Sequence, residues 1–378
     1  MEFIVITLIK FGVLAFIFMT TLAYLQWVER KVIAHVQVRM GPSRVGPHGL
    51  LQPLADVIKL ITKEGVMPPH VNKLFYFLAP FLAVFMALLS ISIIPFGGEL
   101  KAFGYTTWLQ MTDLNVGVLF ILAVSSMGVY GIALGGWASN NKYSLLGGLR
   151  SSAQMISYEL PLSLALASPL LLVGTLSLRE IVQAQAGFNF HFLPRWTIFS
   201  GPFPQIFSFF IFLIAGFAET NRIPFDLPEA ENELVAGFHT EYSSMKFACF
   251  FMSEYANMIT ISCVATLLFL GGWHPLFPAP YSNWVPTLVF LAAALVFFFQ
   301  ALQPARKRDR ITMPIFGVGA LVLAVIWAIP FLQTYLVPIF WFASKAGFIL
   351  FTYIWVRGTL PRFRYDQLMH FAWTFLFP

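Results

Sequence analysis

The stretch FIVITLIKFGVLAFIFMTTLAYLQW, Phe3 to Trp27, decides the class of this protein. It carries one charge, Lys10, and a helix of that length crosses the roughly 30 Å of a bilayer's hydrocarbon. No basic n-region precedes the apolar run and no small-residue cleavage site follows it, so it reads as a retained first span and not as a signal peptide. Composition extends that reading to the whole chain. Of 378 residues, 58% are hydrophobic and 11% charged, with a mean hydropathy of +0.76. A soluble domain carries about a quarter of its residues charged, so this chain has too little polar surface to cover a soluble globule. The expected fold class is an all-α integral membrane protein. Its only cysteines, Cys249 and Cys263, share one apolar segment. That excludes a disulfide framework, a zinc-type ligand spacing and an iron–sulfur cluster carried by this chain alone.

Apolar windows of spanning length recur at about 3–27, 74–95, 114–137, 153–174, 203–218, 245–271, 285–303, 312–333 and 336–357, which predicts nine transmembrane helices. With the N-terminus outside, the cytoplasmic loops and their edges hold eighteen of the twenty-three Lys and Arg, and the outer loops hold Lys101, Arg179 and Arg195. The positive-inside rule fixes that orientation.

Two cytoplasmic segments stand out. In the first, apolar Leu51, Leu54, Ile58 and Ile61 fall at helical spacing while Asp56, Lys59 and Lys63 share another face, the pattern of an amphipathic helix over 49–64 lying on the membrane surface. Either it is an interfacial anchor in which Asp56 pairs with Lys59, or it frames an opening. The second is AETNRIPFDLPEAENELVAGFHTEY, Ala218 to Tyr242, which gathers six of the seventeen acids: Glu219, Asp226, Glu229, Glu231, Glu233 and Glu241. Asp226, Pro228 and Glu229 signal a helix start and Gly237 a stop, predicting a short helix over 227–236. Glu229 and Glu233 would then stand at i and i+4, where like charges repel. First-turn acids that complement a helix dipole account for Glu229; they do not account for Glu219 or Glu254.

Three glutamates fall at membrane depth: Glu159 in the fourth window, Glu219 at the end of the fifth and Glu254 in the sixth. A carboxylate facing lipid is costly, and a buried one is able to exchange a proton near neutral pH. Two readings stand, a proton relay or polar ties between helices, with Arg150, Arg222 or Lys345 as candidate partners of the acids.

These segments, with ERK, GPSRVGPHGLLQPLADVIKL, LLGGLRSSAQMISYE and RGTLPRFRYDQLM, resemble one family: subunit 1 of respiratory complex I, the bacterial H subunit of the proton-pumping NADH:quinone oxidoreductase. The resemblance covers about residues 1–275 and 336–378. It implies a subunit joining membrane and peripheral arms, with the first span, surface helix and sixth span bordering a quinone tunnel. It implies a quinone chamber and gateway formed by Glu29, Arg30, Asp56, Arg222, Phe225, Asp226, Glu229, Glu231 and Glu233, and a proton relay through Arg150, Tyr158, Glu159, Glu219 and Glu254. Quinone would be the substrate, with FMN and iron–sulfur clusters in partner subunits. The implied partners are peripheral-arm quinone-site and cluster-binding subunits, small membrane subunits and antiporter-like subunits, with lipids around them and no nucleic acid. The implied location is the bacterial inner membrane.

The resemblance organises the chain as a family core over 1–284, an inserted transmembrane hairpin over 285–335 around the basic loop PARKRDR, and a C-terminal span with its motif over 336–378. The hairpin is expected at the outer edge, with no bearing on the chemistry. Two rival functions are the homologous membrane component of a membrane-bound hydrogenase, which lacks a quinone, and a stand-alone ion transporter. The complete loop from Glu219 to Tyr242 argues against the first, and the lack of a convincing inverted repeat against the second.

Overall fold

The computed structural model describes residues 2–102, 105–189, 193–201, 204–227, 234–303 and 309–378. In chain order its helices are α1 (Glu2–Val36), α2 (Gln52–Thr62), α3 (Lys73–Ile91), α4 (Gly117–Ala138), α5 (Lys142–Val173), α6 (Leu178–Ala184), α7 (Ile206–Glu219), α8 (Ser244–Phe269), α9 (Tyr281–Leu302), α10 (Asp309–Ala328), α11 (Pro330–Thr359) and α12 (Tyr365–Phe371). Among the described residues, eight of these are long and apolar enough to cross a membrane: α1, α3, α4, α5, α8, α9, α10 and α11. Two small antiparallel hairpins, Glu99–Ala102 with Tyr105–Trp108 and Phe188–Asn189 with Leu193–Pro194, accompany the helices.

The fifth expected span is shorter than its hydropathy window. Helix α7 has 14 residues, Ile206–Glu219, against the expected 203–218, about 21 Å of rise, and it follows a 3-10 turn over Thr197–Phe199 and a bend at Gly201 with φ 93°.

Helix α8 is the centre of the bundle. From Ser253 to Phe269 every residue but Asn257 is buried, and Thr260, Ser262 and Thr266 satisfy their hydroxyls on carbonyls four residues back. Helices α3, α5 and α7 pack against it, as do α1, α2 and α11. Contact between α3 and α4 is close enough that a Cβ on Gly131 would sit 2.9 Å from the Ala83 nitrogen, the small-residue packing by which helices associate in lipid. The α9–α10 pair lies at the edge, with rows of exposed large apolar side chains, and joins α11 through the Phe290, Trp327 and Phe340 rings. Lys345, a cation at membrane depth on α11, is buried because its ammonium donates to the carbonyls of Leu270 at 2.6 Å, Gly272 at 2.9 Å and His274 at 2.6 Å, just past the end of α8, beneath the Trp196 ring. A positive charge at a helix C-terminus is favourable.

Candidate functional site

A cavity of about 1130 Å³ opens where α1, α2, α8, α10 and α11 converge; Glu29, Arg30, Gln52, Tyr255, Asp309 and Arg357 are among its lining residues. Three of the elements expected to border an opening therefore surround one space. On its wall Glu29, its side chain 5% exposed, accepts from two guanidinium groups: Arg222, itself 7% exposed, at 3.4 Å, and Arg357, which is 31% exposed. Arg222 also lies 4.1 Å over the Tyr255 ring, a cation–π contact strengthened by desolvation. Beside this cluster, Arg30 donates to Asp56 at 2.7 Å, and Gln52 donates to the other oxygen of the same carboxylate at 3.0 Å.

Asp56 thus faces inward from α2, while Leu54, Val57, Ile58 and Ile61 are exposed on the helix's other side. The expected amphipathic helix is present, with Lys59 3.9 Å from Asp56. Its end is tied to the bundle by Ser244, whose hydroxyl reaches the carbonyls of Leu60 and Lys63 at 2.9 Å each.

Other expected chamber residues lie on a different wall. Asp226 pairs with Arg362 at 2.8 Å, and Phe225 stacks on Phe363 with ring centroids 5.6 Å apart; Phe225 and Phe363 border a separate, largely apolar cavity of about 340 Å³ with Phe371 and Phe375. Tyr158 meets the Phe225 ring and donates to the Leu368 carbonyl at 2.9 Å. Arg150 lies 5.8 Å over the Tyr365 ring, nine residues before Glu159 and so about 13 Å along α5 from it. The motif RGTLPRFRYDQLM is therefore a clamp on the segment after α7. Glu241, last of the six clustered acids, accepts from Asn141 at the start of α5 at 2.6 Å and anchors its turn there. Glu229, Glu231 and Glu233, and most of the helix expected over 227–236, lie outside the described residues.

At membrane depth, two consecutive hydroxyls on α4 reach two carboxylates: Ser125 donates to Glu219 on α7 and Ser126 to Glu159 on α5. Glu219 borders two small cavities, about 30 and 20 Å³, each on the scale of one or two water molecules, and Glu254 on α8 borders the smaller one. Arg222 and Lys345, candidate partners of these acids in the sequence, are engaged elsewhere, with Glu29 and with the end of α8. Sequence reasoning missed Ser125, Ser126, Tyr255, Arg357 and Arg362. The arginines were readable as charges of a quoted motif; the serines gave no signal of their own.

A polytopic membrane chain with a large charged cavity at one end of its bundle and buried carboxylates beyond it is the class that this geometry defines. A family model described as NADH dehydrogenase matches residues 9–378. The chain is 68% identical over 378 residues to the first of two H subunits of NADH-quinone oxidoreductase in Solibacter usitatus (strain Ellin6076), covering 100% of this chain and 94% of that one. It is 53% identical over 386 residues to the second H subunit of the same enzyme in Koribacter versatilis (strain Ellin345), with the same coverage. Against the H subunit of Protochlamydia amoebophila (strain UWE25) identity is 46%, over 95% of this chain and 89% of the other. The chain belongs to the NADH dehydrogenase family, as an H subunit of NADH-quinone oxidoreductase, respiratory complex I.

Proposed function

We propose that this subunit encloses the path and chamber by which a quinone reaches its electron donor, and that Glu159, Glu219 and Glu254 carry the resulting charge change into the membrane arm. One observation carries the reading. The segment Glu219 to Arg222 touches both places: Glu219 borders the small cavities at membrane depth, and Arg222, three residues on, holds Glu29 on the wall of the large cavity. An isoprenoid tail needs an apolar slot beside lipid, which the exposed face of α2 and the flank of α1 supply. A head group that takes up two electrons also needs protons. A change of charge in the chamber acts first on the Glu29–Arg222–Arg357 cluster and, through one turn of chain, on Glu219, which is held by Ser125 beside the Ser126 that holds Glu159.

On this reading FMN and the iron–sulfur clusters belong to partner subunits of the peripheral arm, and antiporter-like membrane subunits receive the relay. The complex lies in the bacterial inner membrane with this chain's N-terminus outside. Glu159, Glu219 and Glu254 are relay groups; Glu29, Arg30, Asp56 and Arg222 line or brace the chamber; Phe225 and Asp226 hold its gateway segment.

Glu159→Gln and Glu219→Gln test it, because glutamine keeps size and most hydrogen bonds while losing titration. The expected outcome is a fully assembled complex in which quinone reduction and the proton gradient fall together, with partial recovery in the aspartate variants. Normal assembly with wild-type rates of quinone reduction and proton pumping would reduce both glutamates to polar ties between helices.

A further inference from the structure

The edge hairpin α9–α10 reaches the mouth of the large cavity. His48, in the turn Pro47–Gly49, has its backbone in the left-handed region at φ 51°, which costs a residue with a Cβ free energy and persists only where the surroundings hold it. The turn is tight: a Cβ on Gly49 would sit 2.3 Å from the Pro42 carbonyl oxygen. Three contacts hold the His48 ring, all from α10. Its Nε2 is 3.5 Å from Asp309 Oδ1 and 3.1 Å from Thr312 Oγ1, and its centroid is 5.8 Å from that of Phe316. Positions 309, 312 and 316 are i, i+3 and i+7, one face of one helix. Asp309 is buried in the first turn of α10, where the helix dipole favours a carboxylate.

His48 and Asp309 border two spaces at once. One is the large cavity; the other, about 660 Å³, lies between the end of α1 and the hairpin, where Lys31, Gln300, Gln303 and Met313 join them. We propose that the His48–Asp309 pair is a latch in the partition between these cavities, and that Asp309 is a positioning residue that fixes, through His48, the 41–49 turn as the outer wall of the large cavity. The inference rests on the quinone reading above. In those terms the hairpin is part of the chamber's wall and sets how well a quinone is held there. Loosening the wall weakens ground-state and transition-state binding alike, which raises KM and spares kcat.

The test uses the purified NADH-quinone oxidoreductase complex with a decyl-tailed benzoquinone as acceptor, comparing Asp309→Asn, His48→Gln, the double variant and Asp309→Glu. Loss of the part-buried contact between the His48 ring and the Asp309 carboxylate is expected to raise the quinone KM about fivefold to tenfold with kcat within about twofold. The double variant should be no worse than the more affected single, and Asp309→Glu should return most of the affinity. NADH oxidation by ferricyanide, which bypasses the membrane arm, should be unchanged. If Asp309→Asn fails to assemble, Thr312→Val, which removes one hydroxyl from the same face, should still raise KM about twofold. An unchanged KM in assembled variants, or effects that simply add, overturns the latch. Arg30→Met separates the two levels: if it raises KM while the latch variants do not, the latch alone fails. If Arg30→Met also leaves KM unchanged, the quinone reading fails with it.

Discussion

Glu29→Gln is the sharpest probe of the chamber wall. The substitution preserves shape and leaves an acceptor oxygen, but it removes the negative charge that Arg222 and Arg357 share. Breaking a buried ion pair from one side costs about 3–5 kcal/mol, because the remaining charge stays desolvated and unpaired. Arg222 meets that condition with its side chain 7% exposed; Arg357, at 31%, can recover part of its hydration. The discounted expectation is about 2–4 kcal/mol. Denaturation of the complex in mild detergent, followed through α1 with a probe on this chain, measures it. Adding Arg357→Met removes one of the two unpaired cations, so the double variant should lose at least about 1 kcal/mol less than the sum of the singles. The reasoning is refuted if Glu29→Gln is as stable as the parent, or if the two losses add within about 0.5 kcal/mol.

Three further outcomes follow from other parts of the structure. Ala55→Trp on α2 should slow reduction of a quinone with a native-length tail more than that of a short-tailed analogue, and equal inhibition of both would count against an opening beside that helix. Lys345→Met removes three donors to buried carbonyls beyond α8 and should cost about 2–4 kcal/mol, read as a lower temperature for loss of the complex; Lys345→Arg should do better than methionine. His274, in the loop after α8, has its pKa lowered to about 4 by burial and by the nearby Lys345 charge. The unfolded chain binds that proton first, so stability is flat above about pH 6.5 and falls by about 2–3 kcal/mol as the pH drops toward 4. His274→Asn should flatten the profile over that window; an unchanged slope would assign the acid sensitivity to other groups.

Much of the fold was legible because charge is rare in an apolar chain. Asp56 set against Leu54, Ile58 and Ile61 marked α2 and its inward face, and the six acids of 218–242 marked the segment that carries Arg222. What stayed hidden was pairing across long stretches of chain. Glu29 and Arg357 are 328 residues apart, Asp226 and Arg362 136, and no local pattern encodes either distance. Helix α7, Ile206–Glu219 against the expected 203–218, was legible as an unbroken apolar run even though it is shorter than the other spans. The hairpin α9–α10 was expected at the outer edge, and the place of Asp309 on the cavity wall was not legible, since a helix end that closes on a distant turn leaves no periodic trace. Ser125 and Ser126 were invisible for another reason: a serine in a membrane helix ordinarily bonds its own carbonyls, and nothing in its neighbours shows when it turns outward.

Ser126 in fact faces both ways. Its hydroxyl lies 2.8 Å from the Leu122 carbonyl of its own helix and also against the Glu159 carboxylate. A hydroxyl has one hydrogen to give, so at any instant only one of those acceptors receives it. Ser126 ties the backbone of α4 to a side chain of α5, and the adjoining Ser125 reaches Glu219 on α7. Two neighbouring hydroxyls on one helix thus hold carboxylates on two others, so a slide of α4 along its axis would disturb both contacts at once.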